Sequence, residues 1–278
     1  MNVTSLAAAV GLVVGSIALA ATPAVADEPP AFVPHRAVYD LDLDGPITKS
    51  QVRAARGRIV YEFSGNACEG WAMSLRQVVQ IEGADERSNV SDTLATSWED
   101  AAAKTFRFAN QSSVDRASQD VSEGRAERGA DGRVTVKIAK PADGEAALGA
   151  GVVFPTEHMR RLVEAARKGE RIVSAKVFDG TESGHKVYDT MSVVGRPIEP
   201  GTGALEAAAQ RPELAGLQRW PVTVSYFDAA SDSQTPLYTL GFELFENGIS
   251  RNLTLDYGDF RLRGEMATLE LLAPMPCP

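Results

Sequence analysis

Histidine and cysteine are scarce: the chain has three histidines and two cysteines in 278 residues. No two histidines sit at ligand spacing, and the cysteines are too far apart for a local zinc knuckle, so no metal motif is assigned. The mature part contains no Gly-x-Ser-x-Gly elbow, which removes one common route to an activated serine. His35, His158 and His185 are the available imidazole bases. They are unclustered, and each is expected at the surface or at a cap, so no catalytic residue is assigned and the protein is not read as an enzyme. There is no basic run and the formal net charge is −9. That balance argues against nucleic acid and anionic lipid head groups as partners.

Charge is also missing from residues 1–26, which pass through an apolar stretch at 6–20 and end in Ala24-Val25-Ala26 before Asp27. Small residues at that spacing mark a cleavable secretory signal. Pro23 and the lack of a basic flank argue against a retained anchor, and Asp27 stands where a lipoprotein would need cysteine. The expectation is an exported, periplasmic protein with no transmembrane anchor after cleavage and one β-rich domain over residues 27–278. At 44% hydrophobic such a domain buries a core without depending on cysteine staples.

The rest of the chain is organised around residues 57–82, which hold Cys68 between two alternating runs. Ile59, Tyr61 and Phe63 share one face of an extended strand, as do Trp71, Met73, Leu75, Val79 and Ile81 after a break at Ser64-Gly65-Asn66. Cys68 then lies in the connecting turn. The other cysteine, Cys277, is the penultimate residue. Two cysteines in an exported protein favour a disulfide over two unrelated thiols. A bond between them would close a loop of about 210 residues, and chain entropy sets its stabilisation at roughly 5 kcal/mol as an upper bound. No basic neighbour lies close enough to Cys68 to lower its pKa, which favours a structural over a redox role.

Short alternating runs recur along the chain. Strands are expected at 35–43, 105–108, 134–138, 171–178, 186–194, 222–227 and 260–272. Residues 85–100 read as polar, 111–130 as water-facing strands or a loop, and 141–151 as a small-residue connector. The clearest helix is 156–168, capped by Thr156 and ended by Gly169. A second short helix is expected at 204–210, stopped by Pro212. Asn247-Gly248 predicts a two-residue hairpin. Its register sets Tyr238 opposite Tyr257, Leu240 opposite Leu255 and Phe242 opposite Leu253. Many short strands with few helices predict a mainly β fold: one strongly curved antiparallel sheet, spiral or barrel-like, with one or two short helices.

Two short motifs carry little. Gly201-Thr202-Gly203 has Glu206 where a dinucleotide loop needs its third glycine, and Asp256-Tyr257-Gly258-Asp259 reads as a turn. No cofactor follows from either. What remains is an apolar inner surface, with Phe63, Trp71, Trp98, Trp220 and Phe242 as its large side chains. A filled core and a ligand cavity are both compatible with it.

Three segments, GRIVYEFSGNACEGW, VVFPTEHMRRLVEAARKGE and FELFENGISRNLTLDYGDFRLRGEM, together with the proline-rich end around Cys277, carry a resemblance. In this order they resemble the cell envelope integrity EipB family of exported alphaproteobacterial proteins. The resemblance implies a spiral-like, strongly bent antiparallel sheet in the periplasm and a disulfide between Cys68 and Cys277. It also implies an envelope weakened under stress when the protein is lost, and a periplasmic tetratricopeptide-repeat protein as functional partner. The sheet is similar in outline to those of periplasmic lipoprotein carriers and sensors, so a lipid or lipoprotein acyl chain is the alternative ligand by fold analogy. The family brings no catalytic residues to this chain.

Overall fold

The computed structural model describes residues 31–45, 51–116 and 118–277; the export segment expected at 1–26 lies outside them. The first half of the chain forms β1 His35–Leu43, β2 Val52–Asn66, β3 Gly70–Gly83, β4 Ser88–Asp100, β5 Thr105–Val114, β6 Ser118–Arg128, β7 Arg133–Lys140 and β8 Gly144–Ala150. The second half forms β9 Val152–Val153, helix α1 Pro155–Arg167, β10 Ile172–Val177, β11 Tyr188–Val194 and the short helix α2 Pro212–Ala215. It ends with β12 Arg219–Asp228, β13 Tyr238–Phe245, β14 Ser250–Asp256 and β15 Arg261–Leu271.

All fifteen strands belong to one sheet, in the order β8-β7-β6-β5-β4-β3-β2-β1-β15-β14-β13-β12-β11-β10-β9. The first and last strands meet in the middle, where β1 pairs with β15. Each half then runs outward by antiparallel neighbours, except that β9 pairs parallel to β10. The two edges, β8 and β9, are separated by a single residue of chain, so the sheet must curl until its ends approach. The result is a nearly closed, barrel-like wall.

Alternation then sorts side chains to two faces. Inside the curl, Leu162, Val163 and Ala166 of α1 pack with Phe63 and Trp71 on one wall and Val194, Trp220, Val222, Val224 and Leu244 on the other. Each fully buried side chain of this size stabilises by about 1.5–3 kcal/mol, so the helix ties opposite walls together. Where the ends approach, Phe106, Phe108 and Val136 pack with Val152, Phe154 and Phe178. The loop after β10 completes this closure: Ser122 Oγ donates to the Gly180 carbonyl at 2.6 Å. Gly180 has φ +77°, and a Cβ there would lie 2.2 Å from the Phe108 ring, so both backbone and space demand glycine.

Several expectations need correction. The turn between β13 and β14 has three residues, not two: the Phe245 N–H bonds the Ile249 carbonyl, and Gly248, at φ +88°, bonds back to the Phe245 carbonyl. A bulge between Gly241 and Glu243 absorbs the extra residue and restores the expected register, with Leu240 opposite Leu255. Residues 141–151 contain β8, and the polar stretch 85–100 contains β4. Strand β2 continues through Ser64 and Gly65 to Asn66. Helix α1 starts at Pro155, and Thr156 lies within it without acting as a side-chain cap. Pro212 does not stop a helix but begins α2, while the preceding turn is a 3-10 turn at Ala207–Ala209.

Candidate functional site

The inner face of β1, β2, β3, β13 and β14 does not fill completely. It leaves a half-open cavity of about 420 Å³, walled by aliphatic side chains including Leu75, Leu240 and Leu255 and by Tyr39, Tyr61, Tyr238 and Tyr257, with Met159 of α1 among the wall residues. Tyr61 lies opposite Leu75 and Ile59 opposite Gln77 across β2 and β3, and Leu240 lies opposite Leu255 across β13 and β14. The lumen is therefore a direct product of strand alternation and register.

Among the described residues no Asp, Glu, Lys or Arg lines the lumen. Its polar groups are neutral. Tyr39 is fixed by donating to the Ser250 carbonyl at 2.7 Å, and Gln77 Nε2 donates to Tyr257 Oη at 3.3 Å. Burial raises the Tyr61 phenol and the Tyr238 phenol, so both stay protonated as donors. Among the described residues neither hydroxyl has a hydrogen-bond partner. Tyr238 stacks on Tyr226 with ring centroids 4.4 Å apart, which fixes that wall.

His35 and His158 are buried, contrary to the surface or capping positions expected for them, whereas His185 is exposed. His35 Nδ1 bonds the Val33 carbonyl at 2.8 Å, and burial lowers its pKa against that bond. Among the described residues no histidine nitrogen hydrogen-bonds a hydroxyl or a carboxylate. Burial, helped by the Arg161 charge, lowers His158 to about 4.

Cys68 and Cys277 are joined, with Cα atoms 5.6 Å apart. Asn66 shapes the junction: its Oδ1 accepts the N–H groups of Cys68 and Glu69 at 2.8 and 2.7 Å, and its Nδ2 donates to the Pro276 carbonyl at 3.4 Å. The bond fastens the segment after β15 to the β2–β3 turn. Phe63, Trp71 and Trp220 are buried in the packing around α1, and Phe242 lines the lumen. Trp98 does not belong to the inner surface. Its cross-strand partner is Arg107, on the opposite face from Phe106 and Phe108.

Other contributors carry no sequence motif. Glu99 ends β4 facing inward, and its carboxylate accepts the Thr156 and Glu157 N–H groups at 2.7 and 2.9 Å. It thus caps α1 from a distant strand, satisfying donors that a helix start leaves open. Burial raises its pKa to about 7 against those two bonds. Residues 195–218 run from β12 to β15, where Ala209 and Leu214 pack in one cluster with Met266 and Leu269 and Glu206 accepts the Met266 N–H. They are held by a network in which Arg219 and Arg251 share Glu243 and Arg251 also reaches Glu206. The lumen tyrosines could have been found by extending the odd-numbered face of 57–81 across its neighbours. Glu99 and Glu243 look in sequence like ordinary surface charges.

The family model described as EipB-like matches residues 26–273. The chain is 37% identical over 241 residues to the cell envelope integrity protein EipB of Brucella abortus (strain 2308), covering 86% of this chain and 84% of that one. A crystal structure titled as a beta-barrel-like protein of domain of unknown function DUF1849, from Brucella abortus, superposes with a TM-score of 0.78 at 36% identity, covering 87% of this chain and 99% of that one.

Proposed function

The chain belongs to the EipB-like family, and from that premise we propose that it is a non-enzymatic periplasmic protein that maintains envelope integrity by binding an envelope component in its lumen. The observation that carries this reading is the cavity itself. Its size falls within the range of small-ligand sites, about 300–1,000 Å³, and its lining is apolar and uncharged. A charged ligand would lose its hydration there without a counter-charge. An apolar chain bearing a neutral acceptor, such as an ester or amide carbonyl, would meet the free donors of Tyr61 and Tyr238. That chemistry matches an acylated envelope component and supports the lipid or lipoprotein carrier reading over a purely structural one.

Native mass spectrometry of protein purified from its own host tests the idea. An acyl-bearing species should co-purify, and Leu240→Trp, which fills the lumen, should exclude it while the far-ultraviolet circular dichroism stays unchanged. Deleting the gene should raise detergent sensitivity, and the same variant should fail to complement. Unchanged sensitivity would sink the envelope role. Absence of any bound species would sink the lumen as the site.

One surface favours a protein partner as well. Ile172 and Val193 are direct cross-strand partners on the outer face of β10 and β11, and with Met191 they expose an apolar patch, Ile172 at 64%. Such patches commonly mark interaction surfaces. The tetratricopeptide-repeat protein implied by the resemblance is the partner proposed for it. A crosslinked pull-down that recovers that partner equally with Val193→Glu would exclude this patch.

A further inference from the structure

On most of the outer wall, cations face acids across the strands. Asp40 lies opposite Arg58 and Arg36 opposite Glu62, Lys176 opposite Asp189, Glu243 opposite Arg251 and Asp256 opposite Arg261. One row breaks this rule. Trp98 lies opposite Arg107, Arg107 opposite Arg125, and Arg125 opposite Lys137. Among the described residues these are the only cations set directly against one another in the sheet. Like charges placed so are destabilising, and strand spacing puts the three within on the order of 10 Å.

The local acids do not cancel the row. Glu127 pairs with Arg125 at 2.8 Å and Glu123 is taken by Lys140 at 2.8 Å. Glu145 lies opposite Lys137 and Asp143 sits at the groove's edge. Among the described residues, however, neither Arg107 nor Lys137 has a salt bridge. Arg107 instead lies over the Trp98 ring, 5.2 Å from its centroid. The four side chains line a groove of about 600 Å³, in which Thr96, on the same face of β4 as Trp98, adds a hydroxyl.

We propose that the outer face of β4–β7 binds a phosphorylated saccharide, with its phosphates on Arg107, Arg125 and Lys137 and a sugar ring against Trp98. Three adjacent cations suit groups that carry more than one negative charge each, as a phosphate monoester does at neutral pH. Two of the three are Arg, whose fork matches phosphate oxygens. The groove has room for a ring-sized ligand rather than a bare ion. A chain with net charge −9 is repelled by an anionic bilayer as a whole, which favours a discrete ligand over a membrane surface.

Fructose 1,6-bisphosphate is a suitable probe for the oxidised full-length mature chain at low salt. Trp71 and Trp220 are buried, so a change in the solvent-exposed component of tryptophan fluorescence reports Trp98. Saturable binding is expected. Arg125→Gln and Lys137→Gln should each weaken it by about tenfold or more, the loss of one charge-assisted contact, with thermal stability unchanged or slightly raised. Fructose should not bind, and inorganic phosphate should bind at least about tenfold more weakly. No saturable binding, equal affinity for inorganic phosphate, equal binding by both variants, or capture by phosphatidylglycerol vesicles instead of the sugar would each overturn the assignment.

Discussion

Reducing the Cys68–Cys277 bond should lower stability by roughly 5 kcal/mol if its action is to restrict the unfolded chain. The cysteines are 209 residues apart in sequence, so the bond closes most of the described residues into one loop. On the native side its removal changes little. The tail after β15 is mostly exposed, and its hydrogen bonds are Leu272 N–H to the Pro34 carbonyl and Asn66 Nδ2 to the Pro276 carbonyl. The wall itself is held independently by the pairing of β1 with β15. The effect therefore belongs to the unfolded ensemble, and for a domain of this size it corresponds to a fall in Tm of roughly 10–20 °C. Urea unfolding followed by fluorescence, with and without reductant, measures it. Reduction should also steepen the denaturant dependence, because the unlinked chain expands further. Cys68→Ser, Cys277→Ser and the double variant should all match the reduced protein, since the energy belongs to the link. A loss below about 1 kcal/mol with an unchanged slope would refute the chain-entropy reasoning.

Glu243→Gln should destabilise the protein by about 3–5 kcal/mol in the same urea assay. Burial works to raise the Glu243 pKa, but bonds and charge from Arg219 and Arg251 prevail and hold it below its ordinary value, and removing that charge leaves the Arg219 guanidinium, 3% exposed, without its acid, while Arg251, 7% exposed, keeps Glu206. Glu99 and His158 should make opposing contributions to pH dependence. Glu99 rises from 4.5 to about 7 in the fold, so its contribution is full below pH 4.5 and is lost as pH rises through 7. His158 falls from 6.5 to about 4, so its contribution is present above pH 6.5 and is lost as pH falls through 4. Each shift is worth on the order of 3 kcal/mol. Relative to wild type, Glu99→Gln should therefore lose stability on acidification and His158→Gln should gain it. Tm curves that run parallel for all three proteins across this range would contradict the assignment.

Legibility in the sequence followed the size of the alternating side chains. Bulky alternation in 57–81 reveals β2 and β3, and the apolar pairs of 238–257 gave the correct register for Leu240 and Leu255. The turn length was misread because Asn247-Gly248 serves a three-residue loop as well as a two-residue one, and the compensating bulge beyond it has no signature of its own. Strand β8 was hidden because all its residues but Glu145 and Leu148 are Gly or Ala, so alternation has little to contrast. Strand β4 was hidden because it presents Thr93, Ala95 and Ser97 to the inside, where partner strands supply the bulk. The cap on α1 was assigned to Thr156 by local rules, while the fold supplies Glu99 from a strand far away in sequence. Cation against cation across β5–β7 becomes visible only when three strands are set in register.

The lumen raises an energetic question that bears on its ligand. The lumen of about 420 Å³ is half open to solvent, so in the free protein it holds water. The wall resists collapse because it is fastened at four places around its circumference: the disulfide, the Glu99-capped helix, the 195–218 segment and the Gly180 closure. A cavity that can neither collapse nor stay dry must be filled, and its tyrosines, Gln77, Thr93 and Thr254 give water enough partners to fill it. Binding then exchanges that water for ligand. Apolar walls gain when they release poorly ordered water, whereas the hydroxyls lose unless the ligand replaces their bonds. A pure hydrocarbon would satisfy only the walls. The lumen accordingly selects a chain that carries a neutral acceptor near Tyr61 and Tyr238, and an ester- or amide-linked acyl group should outcompete an alkane of the same length.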